Sequence, residues 1–332
     1  PIVEELVRQD AISLRLGYVA TRLITDPEGA VSGVAATGPD GVEQVYEAGA
    51  VALTCGGYAG NPEMFEALNG YPQYNAAPWL LSRGDGMKLG EAAGGYARGH
   101  ENIFVNFGTL FDTEEFPARM TARIEHFPKR RQPWEIYVNA FGNRFVREDI
   151  ESVDAREMAL FGQPDYRYWI VFDERIFREA PPMISDWTHD KMRAAFDKAG
   201  PAFLSGETLG ELANKAGIDA TGLAASVSGY NYGVLTGNDF FGRVHKPLPI
   251  IEPPFRAIRM QASAISSAVG LSVDDALRVI RPDGSAIPNL YAAGEILGSS
   301  QTMGKAACGG MMVTPAMTFG RLLGQSLIPL SK

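Results

Sequence analysis

Two glycine-rich stretches hold the residue types best suited to chemistry. Near the C-terminus, Pro288-Asn289-Leu290-Tyr291-Ala292-Ala293-Gly294-Glu295 is followed by Cys308-Gly309-Gly310-Met311-Met312-Val313-Thr314-Pro315. The pattern predicts a short buried strand, Leu290 to Ala293, ending on Gly294 and Glu295, then a Gly-rich loop, then a helix. Thr314 as N-cap with Pro315 at the first helical position marks that helix start. Met317, Leu322 and Leu323 are its expected apolar positions, up to Gly324. A strand, a glycine pair that admits close backbone approach and a helix N-terminus together suit an anionic or electron-accepting group. The same punctuation also serves as a plain tight turn in a doubly wound sheet. A second stretch, Val51-Ala52-Leu53-Thr54-Cys55-Gly56-Gly57, repeats the strand and Gly-Gly order. Its apolar run predicts a strand buried on both faces.

Elements that would position these stretches can be read on either side. An apolar stripe of Val3, Leu6, Val7 and Ile12 predicts a helix over residues 1–16. Strands are expected at Tyr18 to Ile24, Val31 to Thr37 and around Val45 to Tyr46, with turns at Pro27-Glu28-Gly29 and Asp40-Gly41. Asn61-Pro62-Glu63 opens one helix, and Gly84-Asp85-Gly86 opens another, where Asp85 reads as a cap. From about Glu101 aromatic and charged residues become denser. Strands are expected at Trp134 to Asn139 and Trp169 to Phe172, and Thr208 with Glu211 forms a capping box. Asp219 or Thr221 starts the next helix, and Pro247 to Pro254 reads as a return linker.

Composition narrows the partners. A 332-residue chain with 30 basic and 39 acidic residues carries a net charge of −9 and no basic run. Nucleic acid and anionic membrane surfaces are therefore poor partners, and a small-molecule substrate is expected. No apolar run reaches membrane-spanning length and no signal peptide opens the chain. Cys55 and Cys308 each precede a Gly-Gly pair and cannot make a disulfide framework. Each reads as a small buried residue at a close approach, with a redox pair as the alternative. His100, His126, His189 and His245 show no ligand spacing, so no metal site is expected. A reducing, cytoplasmic setting follows.

The two glycine-rich stretches resemble the late FAD-binding segments of the fumarate reductase and 3-ketosteroid dehydrogenase flavoprotein superfamily. Thr208 to Ala213, Asp219, Leu223, Tyr230-Asn231, Gly237-Asn238-Asp239 and Phe241-Gly242-Arg243 resemble its capping domain. The resemblance implies an α/β fold: a Rossmann-like FAD-binding domain over residues 1–102 and 252–332, interrupted by an α+β capping domain over 103–251. A Gly-x-Gly-x-x-Gly turn, which holds the pyrophosphate in such domains, is not in the sequence. The FAD-binding domain is thus expected to be incomplete at its N-terminus. Either the chain is a portion of a longer flavoprotein or another chain supplies the front half.

The resemblance also assigns residues. Cys55, Gly56, Gly57, Asp85, Gly294, Glu295, Gly309 and Gly310 would face FAD, and Ala20 would pass near the adenine. Backbone N–H groups of Met311, Met312 and Val313 would stabilise charge on the reduced flavin. Glu295 would hold ribityl hydroxyls, or cap a neighbouring helix. The superfamily's catalytic arginine, counted from Arg144-Phe145, falls on Ser152, with Arg156 one helical turn further. Its carboxylate-clamping arginine falls on Ala307, with Lys305 nearby, and its histidines fall on Phe107 and Ser267. A small dianion needs fixed cationic donors to offset desolvation. Their replacement points away from fumarate and succinate and towards a larger, less charged ketone or enone.

Arg156 and Lys305 remain the candidate catalytic groups, although Arg156 also reads as a solvated helix charge. Glu148 reads as an internal salt-bridge partner. The function implied is hydride transfer between flavin N5 and a CH–CH or C=C carbon beside a carbonyl. Two alternatives stay open: a non-catalytic half of a split flavoprotein, and a ligand-binding module without redox activity.

Overall fold

The computed structural model describes residues 2–74, 79–103, 105–198, 200–304 and 309–328. Helix α1 (Ile2–Arg8) buries none of its residues and stops well short of Leu16. Asp10 takes a positive φ of 53° just past its end, which breaks the helical path. Strands β1 (Val19–Thr25), β2 (Val31–Thr37) and β3 (Glu43–Glu47) form an antiparallel sheet with β2 in the centre. Strand β4 (Val51–Leu53) is the edge of a different sheet, and of its residues only Leu53 is buried. The expectation of burial on both faces is not met there: Ala52, whose side chain points to the opposite face from Val51 and Leu53, is exposed.

Helix α2 (Pro62–Asn69) starts as its residues dictate, with the Asn61 side chain accepting the Met64 N–H at 3.2 Å. At α3 (Asp85–Ala92) the N-cap is Gly84 in the left-handed region, so Asp85 is the first helical residue and not the cap. After the short β5 (Ala97–Arg98), the chain builds its largest sheet. This sheet contains β6 (Asn106–Phe111), β7 (Met120–Arg123), β8 (Ile136–Val138), β9 (Arg167–Phe172), β10 (Phe203–Gly206) and β11 (Phe255–Ser263). The order is β7-β6-β11-β9-β8. β10 and β6 share one edge of β11, β10 along Phe255–Ile258 and β6 near Gln261–Ser263. The chain that leaves the Pro-rich stretch therefore enters the middle of this sheet first.

Helices α4 (Val153–Leu160), α5 (Glu174–Glu179), α6 (His189–Asp197), α7 (Leu209–Ala216) and α8 (Ala220–Thr236) surround that sheet in sequence. Ser152, Asp173, Thr188, Thr208 and Asp219 each accept an N–H from the first turn of the helix that follows. The chain then forms β12 (Gly270–Leu271), paired with β5, and the hairpin β13 (Arg278–Ile280) and β14 (Ala286–Ala292). β14 runs parallel to β4, Leu290 beside Val51 and Ala292 beside Leu53. Helices α9 (Ser299–Met303) and α10 (Val313–Leu327) follow. α10 begins one residue before Thr314, which is therefore not its N-cap, and runs past Gly324. Of its expected apolar stripe Leu323 is buried, while Met317 and Leu322 face solvent. No helix among the described residues is long and apolar enough to cross a membrane.

A buried ion cluster locks the region after β8. Arg144 pairs with Glu148 and Asp239 at 2.6 Å each, and Arg243 reaches Glu148 at 3.3 Å. Both guanidinium groups lie over the Tyr230 ring, at 5.6 and 5.1 Å. Glu148 is thus an internal ion-pair partner. Charges this deep are tolerable only when each is paired, and losing one partner costs about 3–5 kcal/mol. Urea unfolding of Arg144→Met should show a loss of about that size. Arg22→Met, which breaks the exposed pair with Glu43, should cost under about 1 kcal/mol.

Candidate active site

Parallel pairing of β4 and β14 sets the ends of the two glycine-rich strands side by side. Beyond β14, Gly294 adopts φ 89° and ψ −152°, a conformation that only glycine tolerates well. Beyond β4, a Cβ at Gly57 would collide with the Ser267 Oγ and come within 3.1 Å of Glu295 Oε1. Ser267 is fully buried between these strands. Its Oγ accepts the N–H groups of Tyr58 and Ala59 at 2.7 and 3.0 Å. Its own N–H and O–H donate to Glu295 Oε1 at 2.9 and 3.1 Å. The carboxylate of Glu295 is therefore fixed through one oxygen to Ser267 and caps no helix among the described residues.

Cys55 is exposed rather than buried. Its thiol nevertheless lies against Gly86, where a Cβ would strike the sulfur, and burial of that group raises its pKa above the ordinary thiol value. Gly56, with φ 79°, leaves 2.9 Å between a built Cβ and Ser82 Oγ. Ala20 and Asp85 meet in a cleft of about 420 Å³ between β1 and α3, together with Arg22 and Lys88. Met311, Met312 and Val313 form the entry to α10, with Met312 at its N-cap and Val313 its first residue. The leading N–H groups of a helix lack intrahelical acceptors, and its dipole favours negative charge.

A second cavity, about 520 Å³, opens between the large sheet and that helix entry. Phe107 of β6, Arg123 of β7, His126, Val153 and Glu157 of α4, Ile265, Met303, Gly309, Gly310 and Met312 line it. Phe107 stacks on Tyr168 with ring centroids 4.3 Å apart. Val153 and Glu157 are one helical turn apart and so share the face of α4 that looks into the cavity. Glu157 is 4% exposed. Burial, then the nearby Asp154, push its carboxyl up to about 7, against the opposing N–H of Phe107. Burial and the Arg156 charge pull His126 down to about 4.

Of the residues expected at the substrate, Phe107 alone is placed on this cavity. Ser152 is the N-cap of α4, accepting the Ala155 N–H at 3.2 Å. Ser267 joins Glu295 to the β4 loop. Lys305, Ala307 and Cys308 lie outside the described residues. Arg156 does not line the cavity, and it is not a solvated helix charge: it is fully buried. Its Nη1 donates to the Ile150 carbonyl, while Nε and Nη2 have no partner among the described residues. Sequence reasoning missed Arg123, His126 and Glu157. The i, i+4 spacing of Val153 and Glu157 behind the Ser152 cap was the signal available for Glu157.

Residues 1–311 match the FAD binding domain family. The chain belongs to that family. Its relatives include a probable fumarate reductase of Shewanella frigidimarina, 25% identical over 98% of this chain and 52% of the relative. An NADH:acrylate oxidoreductase of Vibrio harveyi is 31% identical over 96% of this chain and 31% of its own length. The chain thus spans about half or less of these two relatives. The solved 3-ketosteroid delta1-dehydrogenase of Sterolibacterium denitrificans shares the fold, with a TM-score of 0.73, 24% identity, and 98% and 61% of the two chains covered. As in the rest of the FAD binding domain family, the cofactor is FAD. The residues present fit it: a carboxylate, Glu295, with one oxygen held and the other unpartnered among the described residues, and Gly294 and Gly309, where a built Cβ meets no described atom closer than 4.0 Å.

The titrations on the cavity wall have opposite signs. For His126 the unfolded state holds the extra proton between about pH 4 and 6.5, so its contribution to stability rises with pH across that window. For Glu157 the folded state holds the extra proton between about pH 4.5 and 7, so its contribution falls as pH rises. Thermal or urea unfolding of His126→Gln should therefore lose less stability than the wild type between pH 7 and pH 4.5. The difference between the two proteins should be about 2 kcal/mol, and equal losses would contradict the burial of a neutral imidazole.

Proposed function

We propose that the chain is the C-terminal portion of an FAD-dependent oxidoreductase acting on a CH–CH or C=C pair beside a carbonyl. The observation that carries this reading is the single cavity joining the Phe107 wall to the Gly309–Met312 entry of α10. Fumarate and acrylate, the compounds in the relatives' names, each hold a C=C bond next to a carbonyl carbon. FAD supplies the hydride chemistry at N5. The chain's own residues bind, orient and dehydrate the substrate. Phe107, Phe127, Ile265 and Met303 cover its apolar body and exclude water. Arg123, which has no ion pair among the described residues, points its charge to an oxygen of the substrate. Lys305, outside the described residues, is read as a second oxygen-binding group from its place in the sequence four residues before Gly309. Arg156 supports this wall from behind, through its charge on His126.

Glu295, Gly57 and the entry to α10 hold the flavin, and the cleft of Ala20 and Asp85 takes the nucleotide end. Residues 103–251 act as the cap over a cofactor part made of 1–102 and 252–332, with β11 the strand that ties them together. The pyrophosphate-binding front half comes from the same protein or a companion chain, in the cytoplasm. Against a small dianion, a second carboxylate in this cavity would face Glu157 with Arg123 as the one arginine among the described lining residues. A ketone, enone or monocarboxylate meets no such conflict.

Anaerobic reoxidation of the reduced flavin in the assembled protein tests the reading. A cyclic enone or acrylate should reoxidise it at least about tenfold faster than fumarate. Fumarate as the fastest oxidant would overturn the substrate reading. No reoxidation by any such compound would leave a binding protein without redox activity.

A further inference from the structure

A carboxyl group buried against a ligand-sized cavity with no cation paired to it is uncommon in a stable fold, because an isolated buried charge is costly. Glu157 is such a group. It lines the 520 Å³ cavity and takes part in no salt bridge among the described residues. The backbone N–H of Phe107, a residue on the same cavity, favours the charged form of the Glu157 carboxyl, but less strongly than burial opposes it. The charged and titratable groups facing it are Asp154 and Arg156 on α4 and Arg123 on β7. Building on the oxidoreductase reading, we propose that Glu157 is the catalytic acid–base of this cavity and exchanges the substrate's second proton.

In the reducing direction hydride reaches one carbon of the C=C bond. The O–H bond of the Glu157 carboxyl then breaks as a C–H bond forms at the carbon beside the carbonyl. The electron pair of the C=C bond takes that proton, and Glu157 is left as a carboxylate that solvent reprotonates. In the dehydrogenating direction the carboxylate removes the same proton. FAD, when bound, would supply or accept the electron pair, so this step needs no other oxidant or reductant.

Neighbouring candidates are less suited. His126 Nδ1 lies 3.2 Å from the Ile124 carbonyl and donates to it, so the neutral ring has no proton on Nε2 to give. Arg156 is behind the wall and does not reach the cavity. A carboxyl that remains protonated near neutrality matches proton transfer at that pH.

The test compares the wild type, Glu157→Gln and Glu157→Asp as FAD-loaded protein, with a cyclic enone as probe. Glu157→Gln should lose about 10²- to 10⁴-fold in turnover, with the enone's Kd, read from perturbation of the flavin spectrum, unchanged. Glu157→Asp should recover part of the rate. An infrared band of a protonated carboxyl should disappear in the wild type between pH 5 and 9 and be missing from Glu157→Gln; this readout needs no turnover. Glu157→Gln turnover within about threefold of the wild type, or no such band, overturns the proposal and leaves the oxidoreductase reading intact. A wild type that shows the band but turns over no enone overturns both.

Discussion

One serine holds together the parts of the molecule that the chemistry needs. Ser267 Oγ ties the Tyr58 and Ala59 amides after β4 to Glu295 after β14. The serine is 209 and 208 residues from the two amides and 28 from the carboxylate. Gly57 has no Cβ because the serine occupies that space. A buried donor left unpaired costs about 1–3 kcal/mol, so the two amides and the carboxylate specify one arrangement. The carboxylate of Glu295 and the start of the cavity at Ile265 and Ser266 are held by the same short segment.

The substrate side is governed by a different balance. Where charges are purely architectural, as in Arg144, Glu148, Asp239 and Arg243, each is matched at 2.6–3.3 Å. Around the cavity that matching stops. Among the described residues Arg123 and Glu157 have no ion pair, and Arg156 keeps two nitrogens without partners. Apolar walls amplify the effect, raising the carboxyl to about 7 and lowering His126 to about 4. Stability and polar satisfaction are given up in the same place that ligand volume appears, which is the usual signature of a working site.

Local signals were legible in the sequence where a few adjacent residues decide the outcome. Asn61, Thr208 and Asp219 cap the helices expected of them, and Glu211 takes the Glu207 N–H at 2.9 Å. Strands β1, β2, β3 and β14 fall within a residue or two of their hydrophobic patterns, apart from the start of β14. Misreadings arise where tertiary context competes. Thr314 and Pro315 sit inside the first turn of α10, a position that proline tolerates as well as it does the very first. Met317 and Leu322 look like a buried stripe, yet both are exposed among the described residues, where α10 buries Leu323 alone. A position count also cannot see that the Ser267 hydroxyl accepts two distant amides. Glu157 stood beside the expected Arg156, but which of two adjacent helical residues faces a cavity depends on the sheet packed against α4.

The account rests on Gly57, Ser267 and Glu295 forming the seat of the flavin. Its most direct test is the FAD dissociation constant of the assembled protein and of Gly57→Ala, read by flavin fluorescence. Displacing Ser267 and Glu295 should weaken binding by about tenfold or more, equivalent to about 1.4 kcal/mol, with the fold retained by circular dichroism. Equal affinity in a folded Gly57→Ala protein would contradict the account.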